Sequence, residues 1–338
     1  MRSIVLCICI LICGRTSGQV TFTNPLLPSG ADPWVVYKDG FFYYTHTVGD
    51  KINLWKTKNL QNLKEASPIT VWTPPVTGPN SKAIWAPELH FVDGKWYLYY
   101  TATDVNNDGD ASRYVFVLEN DSDPLTGKWI DKGKINTHYS GLDGSVFEHQ
   151  GIRYFMYSAY IGPQSVLVIA PMKNPWTLGD RQIEIAKPDK TWETFGGREI
   201  LEGPQFLANK DGKVFIVYSA SACWADEYAL GMLTADAKSD LLHLLSWSKS
   251  EQPVFRQSAE NRVYAPGHNS FFKSPDGKEN WILYHANSGP GQGCDRRRSP
   301  RMQQFYWKND GTPDFGIPVK THVEQLAPSS PDNIKLGK

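Results

Sequence analysis

Five residues able to hold or move a proton recur along the chain at nearly even intervals. They are Asp32, Glu88, Asp143, Glu202 and His268, separated by 56, 55, 59 and 66 positions. Each heads a short apolar run. Carboxyl groups in unlike surroundings take unlike pKa values, so one can keep a proton while another stays charged. Cleavage of a glycosidic bond needs such a pair: an acid to protonate the leaving oxygen, and a carboxylate to activate water or attack the anomeric carbon. Like charges brought together also repel and resist desolvation, so these groups in one place call for a ligand, a cation or a proton. Capping of a strand or turn would explain any one of them but not the set.

What brings them together is a repeat. Asp32-Pro-Trp-Val-Val-Tyr runs through Asp39-Gly40 into Phe-Phe-Tyr-Tyr-Thr, and Glu88-Leu-His-Phe-Val runs through Asp93-Gly94 into Lys-Trp-Tyr-Leu-Tyr-Tyr-Thr. Asp143, Glu202 and His268 head runs that pass Gly151, Asp211-Gly212 and Asp276-Gly277 and end on Tyr157-Ser158, Tyr218-Ser219 and Tyr284-His285. Two runs of strand formers about a Gly or Asp-Gly signal an antiparallel hairpin. A unit of this length suits a four-stranded blade better than a helical solenoid, whose units are shorter and carry a 3.6-residue apolar period. The expected fold is therefore all-β, a five-bladed β-propeller in a single domain over residues 19–338. Its innermost strands would carry the five residues to one end of the axis.

Lys plus Arg and Asp plus Glu each number 35 in 338 residues, so no net field attracts nucleic acid or an anionic membrane surface. Neither is expected as a partner; a neutral ligand is. Aromatic residues reach 13%, with 12 Trp and 16 Tyr, side chains that pack β cores or stack on sugar faces. Met1-Arg2-Ser3, the apolar run Ile4 to Ile12 and Thr16-Ser17-Gly18 read as a signal peptide over residues 1–18, too short for a membrane span. It implies a secreted or periplasmic protein, expected to act as a monomer. Cys13 follows Ile12 in place of a small residue, which argues against lipoprotein anchoring. Cleavage leaves Cys223 and Cys294, able to pair in an oxidising compartment but lacking zinc-type spacing.

At these positions the chain resembles glycoside hydrolase family 43, from about Asn24 to Phe315. Ala31-Asp32-Pro33 matches the family's N-terminal Asp, Leu142-Asp143-Gly144-Ser145 its second Asp, and Glu202-Gly203-Pro204 its Glu-Gly-Pro motif. Ile84-Trp85-Ala86-Pro87-Glu88 is similar to a segment bordering the pocket, and Gly267-His268-Asn269-Ser270 to the motif whose His lies on the axis. Arg301, in Pro300-Arg301-Met302, stands where relatives place a sugar-contacting Arg. The resemblance implies a five-bladed propeller that hydrolyses arabinofuranosides or xylosides with inversion. It makes Asp32 the general base, Glu202 the general acid, and Asp143 the group that orients the acid and tunes its pKa. Trp85, Glu88, His268 and Arg301 would bind substrate. No cofactor is required, while several relatives imply a structural Ca²⁺ on the axis, held by His268 through water. Gly144 is a departure, since many members have Pro there, and it loosens the turn after Asp143. The segments 219–226 and 285–294 are most similar to members that release terminal α-L-arabinofuranose. The expected activity is thus a secreted arabinofuranosidase acting on plant cell-wall arabinan or its oligosaccharides, with β-xylosidase and galactofuranosidase as alternatives on the same scaffold.

Three further signals are weaker. Asp104-Val105-Asn106-Asn107-Asp108 opens like an EF-hand loop, but its twelfth position is Val115, so it reads as a solvated loop. Arg296-Arg297-Arg298 reads as a solvated run, or else as part of the pocket rim. Asn120-Asp121-Ser122 has the glycosylation pattern. A non-catalytic carbohydrate-binding propeller is the rival from another class. It would keep aromatics and a pocket without needing Asp32, Asp143 and Glu202 together.

Overall fold

The computed structural model describes residues 20–331. The predicted leader, with Cys7, Cys9 and Cys13, lies outside the described residues. Five long strands each open a run of antiparallel pairing: Ala31–Lys38, Lys82–Val92, Gly141–His149, Glu199–Ala208 and Tyr264–Lys273. The first three turn into their partners through Asp39-Gly40, Asp93-Gly94 and Gln150-Gly151, all six residues with φ between 49° and 82°. Two consecutive positive φ values give the turn whose twist matches a β-hairpin, which is why Asp-Gly marks it.

The first, second and fifth of these strands belong to four-stranded antiparallel sheets. The third and fourth share one nine-stranded sheet, because Gln164–Asn174 meets Glu199–Ala208 in a short parallel pairing of Gln164 with Glu199 and Ser165 with Ile200. Thr21–Phe22 pairs with Gln325–Leu326, so the two ends of the described chain lie side by side. Among the described residues the helical elements between them are short 3₁₀ turns. Among the described residues no helix is long and apolar enough to cross a membrane. The fold is all-β.

The aromatic load goes into five apolar layers. One joins the first and second sheets through Tyr43, Leu54, Leu89 and Phe116, and the next joins the second sheet to the third strand set through Tyr99, Val117, Phe155 and Val168. A third packs Phe147 and Ile169 against Leu201 and Ile216 within the nine-stranded sheet. The fourth continues to the fifth sheet through Phe215, Leu230, Ile282 and Tyr284. The last returns from Phe272, Trp281 and Met302 to Phe42 and Trp55 of the first sheet. Each sheet thus buries both faces against neighbours, and the sequence of layers closes on itself.

All five opening strands carry a bulge near their starts, and it corrects the expected equivalence. Cross-strand partners are Ala31 with Thr47, Trp85 with Thr101, Leu142 with Ser158, Glu202 with Ser219, and Gly267 with His285, and the register slips directly after each. The equivalent next residues are Asp32, Ala86, Asp143, Gly203 and His268, with φ of 55°, 44°, 57°, 56° and 47°. Glu202 therefore stands one position before the common phase and Glu88 two positions after it. The leading polar residues thus occupy three phases, and a single step along a strand turns a side chain to the opposite face.

Gly144 follows one of these bulges, and a Cβ there would lie 2.5 Å from Phe155 Cζ and 2.7 Å from Val115 Cγ1, both in the core. The absence of Pro at this position has a packing cause. Gly144→Ala should destabilise the fold by about 1–3 kcal/mol, the usual cost of forcing a methyl into a filled core; an unchanged urea midpoint would show that the Phe155 ring moves aside freely.

Candidate active site

The bulges build a pocket of about 400 Å³, lined among others by Asp32, Trp85, Asp143, Glu202 and His268. Five of the seven residues singled out from the sequence thus meet. A left-handed non-glycine residue costs about 1–2 kcal/mol, and here the backbone N–H of each bulge is captured by a side chain from the preceding strand set. Thr47 Oγ1 accepts from Ala86 at 2.7 Å and Thr101 Oγ1 from Asp143 at 3.0 Å. The Asp143 carboxylate accepts from Gly203 at 3.0 Å, and Ser219 Oγ from His268 at 2.7 Å. His285 Nδ1 accepts from Asp32 at 3.0 Å and closes the circuit.

Two expected substrate contacts are corrected. Glu88 is 5% exposed and does not line the pocket; it pairs with His90 Nε2 at 2.9 Å and accepts from Gln205 Nε2 at 2.5 Å. Its later bulge phase puts it beneath the mouth. Arg301 is fully buried in the strand Ser299–Trp307, where its Nη2 donates to Ser288 Oγ at 2.8 Å. Arg296 and Arg298 line the pocket in its place, and Arg298, which precedes that strand, lies 3.4 Å from Asp32 Oδ1. Of the two readings of Arg296-Arg297-Arg298, the pocket rim applies to Arg296 and Arg298. Asn120 is buried and donates its side-chain amide to Asp123 O at 3.1 Å, so it does not present a glycosylation site.

The carboxyl groups differ in their surroundings. Thr47 Oγ1 donates to Asp32 Oδ2 at 2.6 Å, and His268 Nδ1 lies 3.3 Å from Asp32 Oδ1. Burial alone would raise the Asp32 carboxyl, but the positive charges of His268 and Arg298 outweigh it and hold Asp32 well below the ordinary range. Asp143, 3.8 Å from His268 Nδ1, is pushed up by burial and by the negative charges of Glu202 and Asp32. Glu202 is raised as well, by burial first, although His268 and the hydroxyl of Tyr228, which donates to its Oε1 at 2.7 Å, oppose the rise. Asp143 and Glu202 titrate as a pair and retain a proton where Asp32 has none. Burial opposes a charge on His268, but the surrounding carboxylates raise its pKa.

His285 behaves in the opposite way. Because its Nδ1 accepts the Asp32 N–H, the ring is neutral with its proton on Nε2. Burial holds its pKa well below 6.5. Its ring stacks on Tyr228 at 5.8 Å and 6° and on His268 at 6.1 Å and 29°. Cys223 and Cys294 form a disulfide in the pocket wall, and Cys294 O accepts from Arg298 Nη2 at 2.9 Å. Thr47, Tyr228 and His285 are not among the residues expected at the site, and Arg298 is expected only as part of a basic run at its rim. The Ser or Thr that ends each second strand was the available signal, with His285 taking its place in the fifth repeat.

The donor set does not suit a directly bound Ca²⁺. Asp143, Glu202 and His268 place ligating atoms within 4.8 Å of one another, but they offer only two carboxylates. Those carboxylates already accept from Gly203 N–H and the Tyr228 hydroxyl, whereas Ca²⁺ takes about 6–8 oxygen ligands. The raised His268 pKa favours a proton on that ring.

A closed succession of β-sheets with buried carboxyl groups of split proton affinity around one pocket has the makings of a glycosidase. The comparisons agree. Residues 22–313 match the family model of glycosyl hydrolases family 43, and the chain belongs to that family. It is 44% identical over 328 residues to an extracellular exo-α-(1→5)-L-arabinofuranosidase of Streptomyces avermitilis, covering 93% of this chain and 67% of that protein. It is 39% identical to α-L-arabinofuranosidase 43 of Humicola insolens, over 91% of this chain and 66% of that one. The chain thus spans about two thirds of the length of these relatives. A crystal structure of an α-L-arabinofuranosidase from Lactobacillus brevis superposes with a TM-score of 0.83 at 36% identity, covering 89% of this chain and 98% of that one.

The neutrality of His285 carries a pH dependence. Below 6.5 the unfolded chain protonates this residue and the folded one does not, so stability falls as pH falls. His285→Asn should flatten the stability–pH slope between about pH 6.5 and 5 by up to about 1.4 kcal/mol per unit. Parallel wild-type and variant slopes in chemical denaturation would mean that the folded His285 takes up the proton.

Proposed function

We propose that this protein releases terminal α-L-arabinofuranose from arabinan or arabino-oligosaccharides with inversion at the anomeric carbon. The observation that carries the reading is the split among the carboxyl groups, with Asp32 held ionised and Asp143 and Glu202 retaining a proton. Asp32 takes a proton from the attacking water, held to that task by the Thr47 hydroxyl. Glu202 gives its proton to the leaving oxygen. Asp143, itself raised by burial and by the charge of Glu202, titrates together with the acid and fixes the Glu202 turn by accepting the Gly203 N–H. His268 stands among all three, Trp85 walls the sugar, and Arg298 takes the place expected of Arg301.

The sugar rests on the two relatives named arabinofuranosidases and on the L. brevis structure. Secretion rests on the leader-like start and on the extracellular relative. The proposed architecture is a five-bladed propeller in one domain. The five bulged strands and five interlocking apolar layers support it, the nine-stranded sheet counting as two blades joined by the short parallel pairing. The reading requires no cofactor and treats the protein as a monomer; an axial Ca²⁺ would reach His268 only through water.

Two experiments test the roles. Proton NMR of the first sugar released from an aryl α-L-arabinofuranoside should show the β-anomer, and a retained α-anomer overturns the water-activating role of Asp32. A panel including β-D-xyloside and β-D-galactofuranoside tests the sugar at the same time. Glu202→Ala should lose activity on arabino-oligosaccharides by about 10²–10⁴-fold, the usual worth of a general acid. It should lose far less on a nitrophenyl glycoside, whose leaving group departs with little protonation. Asp32→Ala should lose both. Equal losses on the two substrates for folded Glu202→Ala place the acid elsewhere.

A further inference from the structure

Trp85 lines the pocket and is 37% exposed, so the core does not hold its ring in place. Arg113 meets that ring from behind. Its guanidinium lies 3.9 Å from the centre of the Trp85 ring, and the residue is only 5% exposed. Arg113 does not line the pocket, so it covers the face of the indole that is turned away from the sugar. Hydrogen bonds and ion pairs do not explain this placement. Arg113 Nε and Nη1 have no hydrogen-bond partner among the described residues, and the carboxylates of Asp108 and Asp110 approach only to 3.9 Å. A flat, weakly hydrated guanidinium stacks on an indole where an ammonium would keep its water, and the attraction between cation and ring strengthens as both lose solvent. The ring is thus the main partner of this buried cation.

The segment that opens like an EF-hand loop sets Arg113 there. Val105 N–H donates to Ser81 Oγ at 2.9 Å, and Lys82 Nζ lies 3.0 Å from Asp108 Oδ2, so the loop is fastened just ahead of Trp85. Asp108 also accepts from Thr103 Oγ1 at 3.1 Å, and Asp110 accepts from Arg198 Nη2 at 3.2 Å. At the far end the Arg113 carbonyl accepts from Gly141 N–H at 2.8 Å, two residues ahead of Asp143. The carboxylates that give the loop its calcium-like look are thus taken up by Lys82, Thr103 and Arg198. Their effect is to tie the loop to the strand that carries Trp85, while the Gly141 bond ties its end to the strand that carries Asp143. Arg113 therefore stands at a fixed height behind the indole. A Trp free to turn loses that freedom when a sugar packs against it, and a ring already fixed does not.

We propose that Arg113 is a positioning residue for substrate binding, which fixes the Trp85 ring as a preformed wall for the sugar. The proposal rests on the reading of Trp85 as that wall. R113M keeps the length and the apolar stem of the side chain but removes the planar cation. Its KM for p-nitrophenyl α-L-arabinofuranoside should rise about 5–10-fold with kcat within about twofold, since the ring contributes alike to the bound substrate and to the transition state. R113K, which keeps a charge near the ring, should recover part of the loss. In a W85A background R113M should change KM no further, because a residue that acts through Trp85 then has nothing to position. An unchanged KM in folded R113M, or the same increase with and without Trp85, overturns the proposal. The near-ultraviolet circular dichroism of Trp85, taken as the difference between proteins with and without W85F, reads the fixed ring without turnover. It should disappear in the R113M background, and its persistence there overturns the positioning role. Failure of the arabinofuranosidase reading shows separately, as wild-type protein that releases no arabinose.

Discussion

Three carboxyl groups and one imidazole crowd the wall of one largely buried pocket, and the mouth of the molecule is arranged around the cost of that. A buried carboxylate loses its hydration and gains a neighbour of like charge, so it either finds a cation or keeps a proton. Here the two outcomes divide between the sides of His268. Asp32 has the Thr47 hydroxyl, Arg298 and His268, and it ionises. Asp143 and Glu202 have one another, a single backbone N–H and one phenol, and they hold a proton. Remove Arg298 and the division weakens, since burial already pushes Asp32 toward the protonated form.

Holding those groups so close is a backbone problem before it is an electrostatic one. A regular strand would alternate its side chains and send half of them away from the axis. The bulge with positive φ breaks the alternation at the same point in each opening strand, and it turns Asp32, Asp143 and His268 toward a common centre. Each strained residue then has its N–H tied by the preceding strand set, by Thr47, Thr101, Asp143, Ser219 and finally His285. The catalytic geometry and the closure of the ring are thus secured by the same hydrogen bonds. His285 is a neutral acceptor at the closing step because burial and the Arg298 charge hold its pKa down against the pull of the Asp32 carboxylate.

Much of this was legible in the sequence, and the limits have a physical cause. Asp-Gly turns and aromatic strand halves mark the hairpins, since the turn chemistry is local and the residues that permit it are few. Asp32, Asp143, Glu202, His268 and Trp85 stood out because their motifs sit at repeated strand starts. The exact phase did not, because a bulge inserts a residue without any side-chain signature: Asp32 and Ala86 occupy the same bulge position. That hid the displacement of Glu88 below the mouth, where Gln205 and His90 hold it. Arg301 and Arg298 differ by three positions, and only the path of the loop after Cys294 decides which one reaches Asp32.

That loop also separates what the fold must keep from what it can vary. Asp32, Asp143, Glu202 and His268 lie on strands whose register is fixed by the core on both faces. Arg298 and Tyr228 are exceptions, because they meet Asp32 and Glu202 from connections. The Cys223–Cys294 disulfide ties the connection of Arg298 to that of Tyr228, whose hydroxyl meets the acid. Gly291 N–H adds a second tie, donating to the Asp226 carboxylate at 2.9 Å. The partners of Asp32 and of Glu202 therefore hang from one cross-linked rim. The rim delivers a cation to Asp32 and a hydroxyl to Glu202, so its loops are bound by the proton balance of the pocket.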